Sequence, residues 1–149
     1  MRPGGVADIG AVDIIMNEAF DPRFGEAWTR GQCLAIVALP GIWLTMADVD
    51  GHPAGFALCR AAVDEAELLL LATRPSLRRR GIGNALLRTV IHDCEVRRIA
   101  KLHLEVRAGN RAIDLYRQAG FVKVGERRDY YRGSSGQVFD ALTFSHEIG

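Results

Sequence analysis

The stretch from Glu67 to Arg107 limits the fold more than any other part of the chain. It opens on "ELLLLAT", whose continuous apolar character fits a central strand covered on both faces. A short turn containing Pro75 leads into "RRRGIG" at 78–83. A helix is expected over 81–97, where Ile82, Leu86, Val90 and Cys94 form one stripe flanked by Leu87 and Ile91. "KLHLEVR" at 101–107 then alternates apolar and polar as a strand does.

The flanking segments complete a mixed pattern. Residues 8–20 read as a helix capped by Asp8, with Ile9, Val12, Ile15, Met16, Ala19 and Phe20 at helical spacing. A second helix is expected over about 25–38, stopped by Pro40-Gly41. "IWLTMADV" and "HPAGFALCRAAV" flank Asp50-Gly51, a dipeptide suited to the positive φ of a tight hairpin turn. A short helix is expected over 111–119, with Asn110 as its cap and Gly120 at its end. "FVKVGERRDYY" and "VFDALTFSHEI" around "GSSG" make a closing hairpin. The leading "MRPGG" is short and glycine-rich, which gives little basis for a first strand. The order of elements is that of an α/β (α+β) domain with a mixed sheet, without the regular alternation of a doubly wound fold. One domain over 1–149 is expected, with neither internal repeat nor linker.

Composition sets limits on function. A net charge of +1 argues against a nucleic-acid partner. Cys33, Cys59 and Cys94 lie far apart in apolar stretches, so buried free thiols are expected and no metal site is suggested. The beginning of the chain carries no apolar run of the signal-peptide kind, and "LLLLA" at 68–72 is far too short to span a bilayer. No membrane association and a cytoplasmic location are therefore the expectations.

Arginines beside glycines at a helix start suit an anion. Helix N-termini present unpaired N–H groups and the positive end of the macrodipole, and glycine lets backbone approach closely. A phosphate or pyrophosphate against 79–84 follows, with a solvated basic cap as the plain alternative. The string lacks GxxxxGK[ST], and a Rossmann fingerprint fails because Leu86 stands where the third glycine belongs.

"RRRGIG" resembles the [QR]xxGx[GA] loop of the GNAT acetyltransferase superfamily through Arg78, Gly81 and Gly83. "LHLEVRAGN", "AIDLYRQAGF" and "ERRDYY" are similar to the RimI-type N-acetyltransferases, which acetylate the N-terminal amine of a ribosomal protein. The resemblance runs from about residue 65 to the end; before that, only the order of elements matches. It implies a mostly antiparallel central sheet flanked by helices, with two central parallel strands that splay apart. It implies acetyl-CoA as co-substrate and no metal. The pyrophosphate would sit on Arg78, Arg79, Arg80, Gly81, Ile82, Gly83 and Asn84, and the pantetheine arm would pair with the backbone of Leu71, Ala72 and Thr73.

The same resemblance makes Glu105 the general base and Tyr116 the acid that protonates the CoA thiolate, with Asn110 touching CoA. Each residue has a plainer reading: a solvated strand carboxylate, a tyrosine packed on the sheet, and a helix cap. His103 shares the face of Glu105 and is a rival base, read in preference as a positioned histidine. Tyr116 is the sixth residue after Asn110, where RimI-type proteins have the seventh. The acceptor groove is expected between "FDPRFGEAWTRG" and "RRDYYRGSSGQ", with Tyr130 and Tyr131 lining it or acting as cross-strand aromatics. A protein α-amine is the expected acceptor. A lysine side chain, a small amine, or acyl-CoA sensing without turnover are the alternatives.

Overall fold

The computed structural model describes residues 1–148. Seven strands form one sheet in the order β1-β2-β3-β4-β5-β7-β6. They are β1 (Arg2–Gly4), β2 (Ile42–Val49), β3 (His52–Ala62), β4 (Glu65–Thr73), β5 (Lys101–Arg107), β6 (Val122–Arg132) and β7 (Val138–Glu147). The helices are α1 (Ile9–Ala19), α2 (Arg30–Val37), α3 (Ile82–Val96) and α4 (Ala112–Gln118). Every strand pair is antiparallel except β4 with β5. The sheet is therefore mixed, as the order of elements suggested, and mostly antiparallel, as the resemblance implied. Among the described residues no helix is long and apolar enough to cross a membrane.

Two apolar layers sandwich the sheet. Ile82, Leu86, Leu87, Val90 and Cys94 of α3 pack on one face with Leu102, Leu104 and Val106 of β5. Ile9, Val12, Ile15 and Met16 of α1 pack on the other with Leu44, Met46, Phe56 and Leu58. The turn at Asp50-Gly51 has both residues left-handed, as its sequence required. All three cysteines are buried free thiols, and burial pushes Cys94 up to about 11.

One irregularity in β4 positions the functional site. Leu58 of β3 pairs with Leu70 and Cys59 with Leu68, which leaves Leu69 as an extra residue. Such a bulge reverses the faces that follow it. Ala66 and Leu68 accordingly join the α3 layer, whereas Leu70 and Ala72 join the α1 layer. Pairing with β5 runs only from Glu65↔Lys101 to Leu68↔Leu104. Beyond that point the two parallel strands part, and the β5-facing edge of Leu69–Thr73 is left without a strand partner.

Three local expectations are corrected. Asp8 does not cap α1. A 3₁₀ turn over Val6–Asp8 leaves Asp8 with helical backbone, and its carboxylate instead accepts from Gly5 N at 3.0 Å and from Arg2 Nη2 at 2.9 Å. The Arg2 guanidinium holds that carboxyl below the usual carboxylate range. The second helix begins at Arg30, not near residue 25. Thr29 and Gln32 form a reciprocal capping box there, with bonds of 2.7 and 3.1 Å. Finally, a first strand does form, with Arg2–Gly4 pairing against Leu44–Met46.

Candidate active site

The parted ends of β4 and β5 open a cleft of about 960 Å³. Its walls are Leu68–Thr73 of β4, Leu104–Arg107 of β5, the start of α3, Tyr116 of α4 and residues of the 19–26 segment. It brings together Leu71, Ala72, Thr73, Arg78, Arg79, Gly81, Ile82, Gly83, Asn84, Glu105, Asn110 and Tyr116. Arg80, grouped with them from the sequence, is exposed and does not line the cleft.

Backbone conformation explains the glycine-rich end. Arg79 and Gly81 are both left-handed, with φ of 66° and 75°, and roll the chain into α3. The first bond within the helix is Ala85 N to Gly81 O at 2.9 Å, so the amides of Ile82, Gly83 and Asn84 precede any intrahelical acceptor. A Cβ on Gly55 would lie 2.7 Å from Ala72 O and 3.4 Å from Ile82. Glycine there lets the helix start settle close to the end of β4. Arg78 donates from Nη2 to Ala19 O at 3.2 Å, tying the loop to the end of α1.

At the other end, Glu105 points away from the α3 layer, as alternation requires. Its side chain is 16% exposed and its Oε1 meets Arg127 Nε of β6 at 2.8 Å. His103 sits two residues earlier on that face, paired with Glu65 at 3.2 Å and outside the cleft. Tyr116 is buried, its ring edge-on to Phe121. Loss of water, and then the nearby Glu26 carboxylate, push its hydroxyl well above the usual tyrosine range. Asn110 is committed at both ends. Its Oδ1 accepts from Ala112 N at 2.8 Å and its Nδ2 donates to Glu26 at 2.7 Å.

Two segments come together at this end of the cleft. Ser134 N, at the tip of the β6–β7 hairpin, donates to Pro22 O at 3.0 Å, and Phe24 meets Phe139 edge-on at 5.2 Å. A Cβ on Gly133 would lie 1.7 Å from Arg23 O. We expect Gly133→Ala to part the hairpin tip from this loop. Faster hydrogen exchange at Ser134 N would report it, and unchanged protection would contradict the contact. A bulge between Arg127 and Tyr131, with Asp129 left-handed, then sets the aromatic pair. Tyr131 lines the cleft, its hydroxyl 3.5 Å from Glu105 O, whereas Tyr130 is exposed beside it and does not line the cleft.

Three charged groups at the site were not foreseen. Glu26 and Arg107 form a nearly dry pair at 3.0 Å, and Arg127 occupies the Glu105 carboxylate. "LEVR" showed Arg107 without showing its partner, which lies 81 residues away.

The family model described as acetyltransferase (GNAT) family matches residues 13–121, and the chain belongs to that family. It is 43% identical over 100 residues to "[Ribosomal protein bS18]-alanine N-acetyltransferase" of Escherichia coli K12, covering 66% of this chain and 67% of that protein. The crystal structure of the Escherichia coli ribosomal-protein-S18-alanine N-acetyltransferase superposes with a TM-score of 0.88 at 32% identity, over 99% of this chain and 92% of that one. Ribosomal-protein-alanine N-acetyltransferase from Brucella melitensis superposes with a TM-score of 0.82 at 25% identity, covering 99% and 98%.

Proposed function

We propose that this acetyltransferase moves the acetyl group of acetyl-CoA to the α-amine of a protein N-terminus, with the terminal alanine of a ribosomal protein as the preferred acceptor. The observation that carries this reading is the cleft itself. It sets an unpaired strand edge and a helix start beside a carboxylate on one strand and a buried tyrosine. The ribosomal-protein acceptor rests on what the relatives are named for. Such an acceptor implies action in the cytoplasm.

The free edge of Leu71, Ala72 and Thr73 suits the amides of a pantetheine arm, which can complete the ladder that β5 abandons. A backbone N–H there polarises the thioester carbonyl as negative charge develops on its oxygen. The amides of Ile82, Gly83 and Asn84, with Arg78 and Arg79, suit the pyrophosphate. Asn110 serves through the shape of the β5–α4 corner, since both ends of its amide are already engaged.

The chemistry then needs three proton movements within the site. Glu105 takes a proton from the incoming ammonium, and the freed lone pair attacks the thioester carbonyl carbon. The C–N bond forms, the C–S bond breaks, and the departing thiolate takes the Tyr116 proton; the second proton of the nitrogen, shed as the neutral amide forms, restores the tyrosine, and Glu105 gives its proton to solvent. Arg127 is 60% exposed, and exposed ion pairs are weak, so the acceptor's ammonium can take its place against Glu105. An α-amine has a reference pKa of ~8 against ~10.4 for lysine, so one carboxylate suffices for the former near neutral pH.

Turnover tests the reading. Protein, acetyl-CoA and a peptide beginning with alanine are expected to release free CoA thiol in step with acetylated peptide. Excess ATP should not compete. Competition by ATP, or CoA release without peptide product, would contradict the proposal. Gly81→Val puts a β-branched side chain at a left-handed position in the cradle. It is expected to weaken acetyl-CoA binding about tenfold, equivalent to ~1.4 kcal/mol, by titration calorimetry. Unchanged affinity would remove the loop from the binding site.

A further inference from the structure

The segment before α2 carries a carboxylate into the cleft that the chemistry above does not use. The Glu26 side chain is 10% exposed, and its partner Arg107 is 12% exposed. A charge held this far from water needs all its partners, and removing one is costly. Glu26 Oε1 accepts from Arg107 Nε at 3.0 Å and Oε2 from Asn110 Nδ2 at 2.7 Å. Arg107 also lies 3.7 Å over the Phe24 ring and donates from Nη1 to Ala108 O at 3.1 Å. Asn110 Oδ1 in turn accepts from Ala112 N, the first residue of the helix that carries Tyr116, whose N-cap position is Arg111. One carboxylate thus joins the acceptor-side loop, the end of the strand that carries Glu105, and the helix that carries Tyr116. Glu26 is also near enough to Tyr116 and Tyr131 to push both hydroxyls up.

We propose that Glu26 is a positioning residue for acetyl transfer: by clasping Arg107 and Asn110 it fixes the acceptor loop against the β5–α4 corner. It thereby sets where the amine lies between Glu105 and Tyr116. This inference rests on the acetyl-transfer reading above. The clasp is largely withdrawn from water, so water is a poor substitute for its charge. Its bonds go to neither the glycine-rich loop nor the free edge of β4. Acetyl-CoA affinity is therefore spared when the clasp is broken, and use of the acceptor is not.

Glu26→Ala and Glu26→Gln in the full chain test this. Acetyl-CoA affinity is measured by calorimetry, and kcat and KM are measured with an alanine-terminated peptide at saturating acetyl-CoA. Displacing a reacting group by an ångström costs up to about 10²-fold, so Glu26→Ala is expected to lower kcat/KM for the peptide by about that factor while acetyl-CoA affinity holds. Glu26→Gln keeps an oxygen for one of the two donors and should fall between; it carries the test if the alanine variant does not fold. Combined with Arg107→Met, the losses should be less than additive, because both changes remove one contact. Wild-type kinetics in both Glu26 variants would overturn the proposal. So would additive losses, or acetyl-CoA affinity falling in step with acceptor use. Wild-type enzyme runs alongside. If it leaves the α-amine unmodified, the acceptor reading fails by itself, and the clasp is measured with the amine that wild type does acetylate.

Discussion

Glu105→Gln is expected to lower kcat by about 10²- to 10⁴-fold, the usual contribution of a positioned base, while acetyl-CoA binds as it does to wild type. The substitution keeps the size and shape of the side chain and removes the charge that draws a proton off the ammonium. Glu105 projects from β5 away from the α3 layer, so its loss leaves the core intact. Its ion-pair partner Arg127 is 60% exposed and returns to water when the pair is lost, so the cost in stability is small. Steady-state kinetics with calorimetric titration of acetyl-CoA separates the two effects. A variant with wild-type kcat would take Glu105 out of the mechanism and return attention to His103. That histidine is already occupied by Glu65 at 3.2 Å and lies outside the cleft.

Tyr116→Phe is the second large loss expected, again about 10²- to 10⁴-fold in kcat with little change in acetyl-CoA affinity. The ring packs edge-on against Phe121 in the core, and phenylalanine preserves that packing. Only the hydroxyl is lost, and with it the proton for the departing thiolate. Burial and the Glu26 charge raise the Tyr116 hydroxyl above its ordinary range of about 10, so it stays protonated through neutral and mildly alkaline pH. Its ionisation therefore should not limit kcat between about pH 7 and pH 10. If the phenylalanine variant turns over normally, the thiolate draws its proton from solvent and Tyr116 is a packing residue.

What the sequence made legible was local and periodic. The stripe on α3, the left-handed Asp50-Gly51 turn and the alternation of β5 each follow from residues within one element. The face on which Glu105 lies needed only the period of two in "KLHLEVR". The failures were of two kinds. In the first, the signal is local: Thr29 and Gln32 mark the start of α2, several residues after the start expected near residue 25. In the second, the cause was distant in the chain. Gly4, which counted against a first strand, is what lets that strand lie against Leu44, because a Cβ there would come within 2.8 Å of it. Glu26 gains its role only through Arg107 and Asn110, more than eighty residues on. The bulge at Leu69, which places the opening of the sheet, left no mark in a run of four leucines.

The most direct measurement locates the acetyl group. Two peptides of one sequence are incubated with the enzyme and acetyl-CoA; each contains a lysine, one begins with a free alanine, and the other is blocked at its N-terminus. Fragmentation mass spectrometry assigns the site of each added acetyl. Acetylation at the free α-amine, with the blocked peptide untouched, is the result expected of this cleft. Acetyl on lysine in both peptides would contradict the acceptor assignment and make the enzyme a side-chain acetyltransferase.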